Sequence, residues 1–239
     1  MKQESLGDKM LSVERLSECQ LPLRVRRFIA ATPGQLSPEQ LEQNPEALNK
    51  DARISLMLET ESIFRIVAYI DLETGREHVA VIKGVGDGKD VPIRIHSACL
   101  TAETFHTPIC DCEEQMSASI SLINDSDTGG IIWLNQEGMG NGLAAKLAQI
   151  DSEFRTGSYE PAIYHGEVFI DRRDYKVAAD ILKDLGISSV RLITNNPSKI
   201  AEIEQAGIEV TGRIPCVIDA LSQNAYSYID VRRQQGYLE

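Results

Sequence analysis

Short apolar runs and amphipathic stretches alternate along the chain from residue 51 to residue 215. Runs of β-branched residues bounded by turns predict strands, and apolar residues repeated every three or four positions predict helices. The predicted strands are 64–70, 78–83, 91–96, 130–134 and 189–193. The predicted helices are 113–122, 142–154, 171–185 and 197–205. This order indicates an α/β fold, a mixed sheet with flanking helices, because the first two strands form a hairpin and the later ones alternate with helices.

The chain divides into three parts by pattern and composition. Residues 1–50 form an N-terminal extension, in which the polar section 33–50, punctuated by Pro and Gly, predicts a linker with one short helix. We expect this extension to serve packing or an oligomer contact. Residues 51–215 form the main domain, and residues 216–239 form a C-terminal tail.

Two predicted helices begin with polar residues that can cap them. Asn196 followed by Pro197 is typical of an N-cap and the first helical position. Asp171 stands at the start of the predicted helix 171–185, where its carboxylate can act as the N-cap. Arg173 would then be a solvated residue of the first turn. On the residues alone, this structural interpretation of the Asp171–Arg173 pair is favoured.

Composition narrows the classes of function. The 239 residues include 24 Lys and Arg against 36 Asp and Glu, which gives a net charge of −12. This acidity argues against nucleic acid and membrane surfaces as partners, because both attract basic proteins. An anionic substrate therefore needs a local cluster of positive charge. No apolar segment indicates a signal peptide or a membrane span, so we expect a cytoplasmic protein.

Three of the five cysteines fall within fourteen residues. Cys99, Cys110 and Cys112 have the spacing C-x10-C-x-C, and their thiolates favour zinc among common metals. Three ligands without a fourth are typical of an open catalytic site, whereas a fourth ligand closes a structural one. His96 or His106 could supply that fourth ligand. Three buried thiols that behave as small apolar residues are the remaining interpretation.

Further motifs surround the cysteines in a fixed order. They are Arg94–Thr101 with Gln115, Asn135–Gly138, Asp171–Tyr175 and Arg191–Lys199. Together with the cysteines, these segments resemble GTP cyclohydrolase II, the family that opens the imidazole ring of GTP at the start of riboflavin synthesis. The resemblance covers about residues 55–236. Four ordered motifs and a cysteine triad make coincidence an inadequate explanation.

The resemblance implies a GTP cyclohydrolase II-like fold and zinc-dependent hydrolysis of a purine nucleotide, GTP, at C8, with release of formate and pyrophosphate. It implies one Zn²⁺ ion per chain on the three cysteines, with a free position for an activated water. It also implies Mg²⁺ bound to the triphosphate, and a homodimer.

Catalytic and binding positions also follow from the resemblance. Asp171 and Arg173 match the family's proposed proton acceptor and its arginine nucleophile. Because arginine stays protonated, neutralising a phosphoryl group is the role that its chemistry favours. The implied substrate-binding residues are Arg94, Ile95, His96, Ser97, Gln115, Glu137, Gly138, Met139, Thr194 and Lys199.

The sequence departs from the family at substrate-facing positions. Met139 stands where the family has an arginine, Ile150 where it has a tyrosine, and Ala98 where it has a glutamate. Residues 158–163, which include Tyr159, replace a segment with a nucleotide-contacting threonine. Because the cysteines are kept, we expect a working hydrolase. Its substrate could differ, or its product could be a formamidopyrimidine nucleotide of a specialised pathway. A non-catalytic nucleotide-binding relative is the other alternative.

Overall fold

The computed structural model describes residues 11–31, 54–216, 218, 233, 236 and 237. The strands are β1 Val13–Ala31, β2 Ile54–Asp71, β3 Glu77–Gly84, β4 Val91–Ser97, β5 Gly129–Leu134, β6 Ile163–Tyr164, β7 Glu167–Val168, β8 Ser189–Ile193 and β9 Glu209–Ile214. The helices are α1 Leu100–Glu103, α2 Cys112–Asn124, α3 Leu143–Thr156, α4 Lys176–Asp184 and α5 Pro197–Gln205. A 3-10 turn spans Gly138–Gly140.

Seven strands form one sheet in the order β1-β2-β3-β5-β4-β8-β9, and β6 and β7 form a separate hairpin. β1, β2, β3 and β5 pair antiparallel, whereas β4 lies parallel between β5 and β8, and β9 is parallel to β8. The strands β4, β5 and β8 therefore end at one edge of the sheet, at Ser97, Leu134 and Ile193. Open α/β sheets bind their ligands at this edge.

Helices cover both faces of the sheet. Successive side chains of a strand point to opposite faces, so neighbouring residues of β5 show what covers each face. On β5, Ile131 packs in the cluster that contains Ile123 of α2, and Ile132 packs in the cluster that contains Ile181 of α4. Six of the seven residues of β4 are buried, as expected for a parallel strand covered on both faces. The predicted α/β fold, a mixed sheet with flanking helices, is confirmed.

The predicted elements are confirmed with one exception. All five predicted strands are present, and α5 begins as predicted with the Asn196 side chain at its N-cap. The prediction for 171–185 is wrong at its start, because α4 begins only at Lys176. Asp171 is therefore not the N-cap. The carboxylate of Asp174 accepts the Lys176 N–H at 2.8 Å and satisfies the helix start instead.

The N-terminal extension 1–50 contributes to the main sheet. β1 comes from this extension and pairs with β2 along its length, and Val25 of β1 is buried in the same cluster as Phe64 of β2. This part of the extension is therefore an edge strand of the sheet. The linker predicted at 33–50 lies outside the described residues, as does most of the tail 216–239. Among the described helices, none is long and apolar enough to cross a membrane.

Candidate active site

A cavity of about 200 Å³ opens at the edge of the sheet where β4 and β5 end. Its wall combines residues from the loop after β4, the start of α2, the 3-10 turn after β5, helix α3 and the segment 159–173. The wall includes the three cysteines together with the charged residues Glu137, Lys146, Glu153 and Arg173. Its apolar part is formed by Ile109, Met139, Ile150, Tyr159, Pro161 and Phe169.

The three cysteines converge because the chain turns twice after β4. Cys99 precedes α1 and Cys112 is the first residue of α2, so the intervening loop carries Cys110 back toward Cys99. The three sulfur atoms lie within 4.8 Å of one another, and the Cys99 and Cys110 sulfurs are 3.7 Å apart. A tetrahedral zinc ion with Zn–S bonds of about 2.3 Å requires sulfurs about 3.8 Å apart. The spacing therefore fits one zinc ion.

The pKa values of the cysteine thiols are shifted in opposite directions. Hydrogen bonds from the thiols of Cys110 and Cys112, together with the ammonium of Lys146, lower the pKa of Cys99 far below its usual value. The pKa of Cys112 is raised, because its thiol is hydrogen-bonded to the other two sulfurs. The Lys146 Nζ lies 3.1 Å from Cys99 Sγ. Cys99 is thus a thiolate beside a cation, the state in which cysteine binds metals.

Neither candidate histidine contributes to the sulfur cluster. The Nε2 of His96 lies 2.9 Å from Glu103 Oε1, and the side chain is 2 % exposed. The Nδ1 of His106 lies 2.8 Å from Glu113 Oε2, and that side chain is 66 % exposed. Within the described residues, the candidate metal cluster therefore consists of the three cysteines. This arrangement is the one expected of an open site.

Glu137 connects the 3-10 turn to the cysteine loop. Its Oε1 accepts hydrogen bonds from Gly138 N–H and Lys146 Nζ, each at 2.8 Å, and its Oε2 accepts one from Leu100 N–H at 2.7 Å. The carboxylate thus organises the cavity wall. Sequence reasoning missed Lys146, because a lysine on an amphipathic helix is usually solvated. Its side chain is only 14 % exposed here.

Arg173 and Asp171 form an ion pair in an irregular segment before α4. The Nε of Arg173 donates to Asp171 Oδ1 at 2.8 Å, and its Nη2 donates to Asp171 Oδ2 and, at 3.0 Å, to the Tyr237 hydroxyl. The expectation of a solvated Arg173 is wrong, because its side chain is 12 % exposed. Burial lowers the pKa of Arg173, but the hydrogen bond to Asp171 and the electrostatic interactions with Tyr175, Tyr237 and Asp171 together outweigh burial and raise the pKa above its usual value. Arg173 is therefore a permanent cation.

Hydrogen bonds to the loop after β5 hold this irregular segment in place. The Gln136 side chain donates to Asp174 O at 2.6 Å and accepts Asp174 N–H at 3.3 Å. The Asn141 amide donates to Ile170 O at 2.6 Å and to Gly138 O at 2.9 Å. These bonds replace the helical hydrogen bonds that the apolar periodicity predicted. Asp171 and Arg173 therefore lie on a loop that is fixed by hydrogen bonds to Gln136 and Asn141.

Two more basic side chains, Arg94 and Lys199, are buried beside Arg173. The Nη1 of Arg94 donates at 3.1 Å to the last main-chain carbonyl of β8, and its Nη2 donates to Gln115 Oε1. The Nζ of Lys199 donates to Ile95 O at 2.7 Å. Burial and the guanidinium groups of Arg94 and Arg173 lower the pKa of Lys199 far below its usual value. The guanidinium groups of Arg94 and Arg173 therefore form the local positive cluster that an anionic substrate requires of an acidic protein, with the Lys199 amine beside them.

The predicted site residues fall into two groups in the structure. Those that line the cavity are Ser97, Cys99, Cys110, Cys112, Glu137, Gly138, Met139 and Arg173. Those outside its lining are Arg94, Ile95, His96, Gln115, Asp171, Thr194 and Lys199. Of the second group, Asp171 is ion-paired with the lining residue Arg173, whereas Thr194 Oγ1 accepts the Asn196 N–H at 3.0 Å at the start of α5.

The family model and the similar proteins all point to one family. The family model for GTP cyclohydrolase II matches residues 51–215. Riboflavin biosynthesis protein RibBA of Endomicrobium trichonymphae is 34% identical over 173 residues, or 72% of this chain. RibBA of Bacillus cereus is 34% identical over 186 residues, or 77% of this chain. The probable monofunctional riboflavin biosynthesis protein RIBA 3, chloroplastic, of Oryza sativa is 35% identical over 173 residues, or 72% of this chain.

The chain spans less than half the length of these relatives. It covers 43% of the Endomicrobium protein, 46% of the Bacillus protein and 32% of the rice protein. Among solved structures, RibBX, a two-domain 3,4-dihydroxy-2-butanone 4-phosphate synthase from A. baumannii, aligns with 86% of this chain and 41% of its own. That alignment has 17% identity and a TM-score of 0.41, at which the likeness has no bearing on function.

Proposed function

Because this chain belongs to the GTP cyclohydrolase II family, we propose that it is a hydrolase that opens the imidazole ring of GTP at C8. The products are a pyrimidine nucleotide, formate and pyrophosphate. The names of its relatives favour riboflavin formation as the pathway. One observation carries the proposal: three sulfurs spaced for one metal ion share a cavity wall with the cation Arg173.

The proposed cofactor is one Zn²⁺ per chain on Cys99, Cys110 and Cys112. Zinc on three thiolates lowers the pKa of a bound water and supplies a nucleophile at neutral pH. The sulfur spacing and the thiolate character of Cys99 support this ligand set. The ammonium of Lys146 offsets part of the negative charge that three thiolates bring to the site.

Arg173 is proposed to hold the α-phosphate. Its planar guanidinium can form two charge-assisted hydrogen bonds to a phosphate, in place of those it makes to Asp171. A raised pKa argues against the guanidinium as a nucleophile, because that role needs the neutral form. Asp171, released by the phosphate, is then the proposed proton acceptor. Mg²⁺ is proposed to accompany the triphosphate.

The remaining predicted residues are proposed either to contact the nucleotide or to support the cavity wall. Ser97, Gly138 and Met139 line the cavity and are proposed to touch the nucleotide. Arg94 is proposed to attract its phosphates through its charge, and Lys199 is proposed to join it in the charged form that a nearby phosphate favours. The other predicted residues, Ile95, His96, Gln115 and Thr194, are proposed to support this wall from behind.

A second candidate is the same first hydrolysis with a different outcome. Met139 and Ile150, which replace a family arginine and tyrosine, both line the cavity with apolar side chains. An aliphatic side chain cannot transfer a proton, so hydrolysis could stop at a formamidopyrimidine nucleotide without formate release. A substrate other than GTP is the related alternative, since one phosphate-binding charge is missing.

The test is product analysis with the zinc-loaded protein. GTP and Mg²⁺ are added, nucleotides are identified by mass spectrometry, and pyrophosphate is assayed in parallel. We expect a ring-opened pyrimidine nucleotide from the wild type and none from Cys110→Ser. Cys19→Ser is the matched control, because Cys19 is exposed on β1 and should leave turnover unchanged. Unchanged GTP with zinc bound would contradict the proposal. GMP and ATP, run in the same way, identify an altered substrate.

The homodimer and the cytoplasmic location stay predictions. Light scattering on the purified chain measures the first, and twice the monomer mass is the expected result. A non-catalytic nucleotide-binding role would be supported by tight GTP binding without any product.

A further inference from the structure

Glu103 accepts hydrogen bonds from three groups that otherwise belong to separate parts of the site. Its Oε1 accepts the Cys99 N–H at 2.8 Å and lies 2.9 Å from His96 Nε2. Its Oε2 accepts the indole N–H of Trp133 at 3.1 Å. These partners come from the end of β4, the cysteine loop and β5, so one carboxylate joins two adjacent strands to the first metal-binding residue.

The partners of Glu103 are all hydrogen-bond donors. A main-chain N–H and an indole N–H can only donate. His96 is buried and its pKa is lowered by burial, so it is neutral and donates its Nε2–H to the carboxylate. An ionised carboxylate, which only accepts, is therefore the side chain that satisfies this site.

We propose that Glu103 is a positioning residue that holds Cys99 in place for the metal ion. Cys99 precedes α1, a helix of only four residues, and such a short helix supplies little rigidity of its own. The bond from Glu103 fixes the main chain at Cys99 against the central strands of the sheet. Partners of this kind around a metal site tune affinity by about 10- to 100-fold. The inference rests on the proposed zinc site.

The substitution Glu103→Gln tests the role with almost no change in shape. A glutamine has one accepting oxygen and one donating NH2 group. Whichever way the amide is turned, the NH2 faces either the Cys99 N–H or the Trp133 indole N–H. The variant is therefore expected to bind zinc about 10- to 100-fold more weakly than the wild type, in competition with a chelator of known affinity.

A second substitution separates positioning from a general loss of structure. Trp133→Phe removes the donor that faces Oε2, so an amide NH2 can occupy that position without a clash. E103Q/W133F is expected to recover most of the zinc affinity that E103Q loses, whereas general damage to the fold would make the double variant worse. Glu73→Gln is the matched control, because Glu73 is 71 % exposed in its ion pair with Lys176 and belongs neither to the cavity wall nor to the cysteine cluster.

The readouts are zinc affinity and circular dichroism, with activity not required. Wild-type zinc affinity in E103Q overturns the inference, and so does a double variant that binds zinc as weakly as E103Q. If E103Q does not fold, W133F and the double variant carry the comparison. A wild-type protein that binds no zinc refutes the proposed function itself, whereas equal zinc binding by wild type and E103Q refutes only the role of Glu103.

Discussion

We predict that the buried Lys199 side chain destabilises the folded protein. Its side chain lies in the core with 6 % of the residue exposed, and its hydrogen bond goes to a neutral carbonyl, Ile95 O, at 2.7 Å. The nearby guanidinium groups of Arg94 and Arg173 repel its charge. Folding either buries the Lys199 charge among like charges or makes the amine release its proton, and both cost free energy. The free energy of unfolding should therefore rise when the amine is replaced.

The substitution Lys199→Met removes the charge and keeps the length of the side chain. Replacing buried charges by apolar groups stabilises proteins by about 1–4 kcal/mol, and loss of the hydrogen bond to Ile95 O offsets roughly 1 kcal/mol of that. The net gain of about 0–3 kcal/mol raises the Tm of a chain of this size by up to roughly 12 °C. The same variant should lose turnover, because Lys199 belongs to the proposed phosphate-attracting cluster.

The gain should depend on pH in a defined direction. The folded-state pKa of Lys199 is lowered, so between that value and about 10.4 the unfolded state binds more protons than the folded state. Wild-type stability therefore rises with pH in this interval, by up to about 1.4 kcal/mol per pH unit. The Tm advantage of K199M should be full below the interval and shrink as the pH increases through it.

Thermal unfolding followed by circular dichroism from pH 7 to pH 9.5 measures both effects. Lys176→Met is the matched control, because its side chain is 51 % exposed and its Tm should stay close to that of the wild type. The reasoning is refuted if K199M is less stable than the wild type at pH 7, or if its Tm difference does not change with pH.

Three further predictions concern other parts of the site and fold. Asn141→Ala removes the hydrogen bond to Ile170 O and should lower the free energy of unfolding, measured in urea, by about 1–3 kcal/mol. Its kcat should fall more than its KM changes. An unchanged kcat would contradict the role of this bond in holding the segment that carries Asp171 and Arg173. Burial lowers the pKa of His78, so the free energy of unfolding of the wild type should fall below about pH 6.5 as the unfolded state takes up the proton. His78→Gln should make stability depend less on pH in this range. Calorimetry that shows the same pH dependence of stability for both proteins would count against this prediction. Met139→Arg adds a cation to the cavity wall and should lower the KM for GTP about 10-fold in steady-state kinetics, whereas an unchanged KM would show that no phosphate reaches position 139.

Five of the seven strands of the main sheet were predictable because they carry a strong local signal, whereas β1 and β9 were not predicted. Val91, Ile93 and Ile95 alternate along the run 91–96, which matches β4 to within one residue. The opposite face carries Arg94 and His96, and their burial had no signal in the local pattern. The helix start at 171 was not predictable from periodicity. Its backbone groups bond to Gln136 and Asn141, which are distant in sequence, and these tertiary bonds override the local pattern.

The candidate site was predictable where a motif exists and not elsewhere. The three cysteines share a short spacing, and the structure brings their sulfurs together. Lys146, Glu103 and Tyr237 carry no comparable signal, because each reaches the site from a helix or the tail by a contact that depends on the assembled fold. Tyr237 contacts Arg173 across 64 positions of sequence.

If this chain opens a purine ring at C8, the fate of that carbon reveals the reaction. GTP labelled with ¹³C at C8 is incubated with the zinc-loaded protein and Mg²⁺, and the label is followed by ¹³C NMR. We expect the label to leave the nucleotide as free formate. A formyl carbon still attached to the nucleotide would identify the second candidate, ring opening without formate release. Label that remains in an intact purine ring, with one zinc ion bound per chain, would contradict the account.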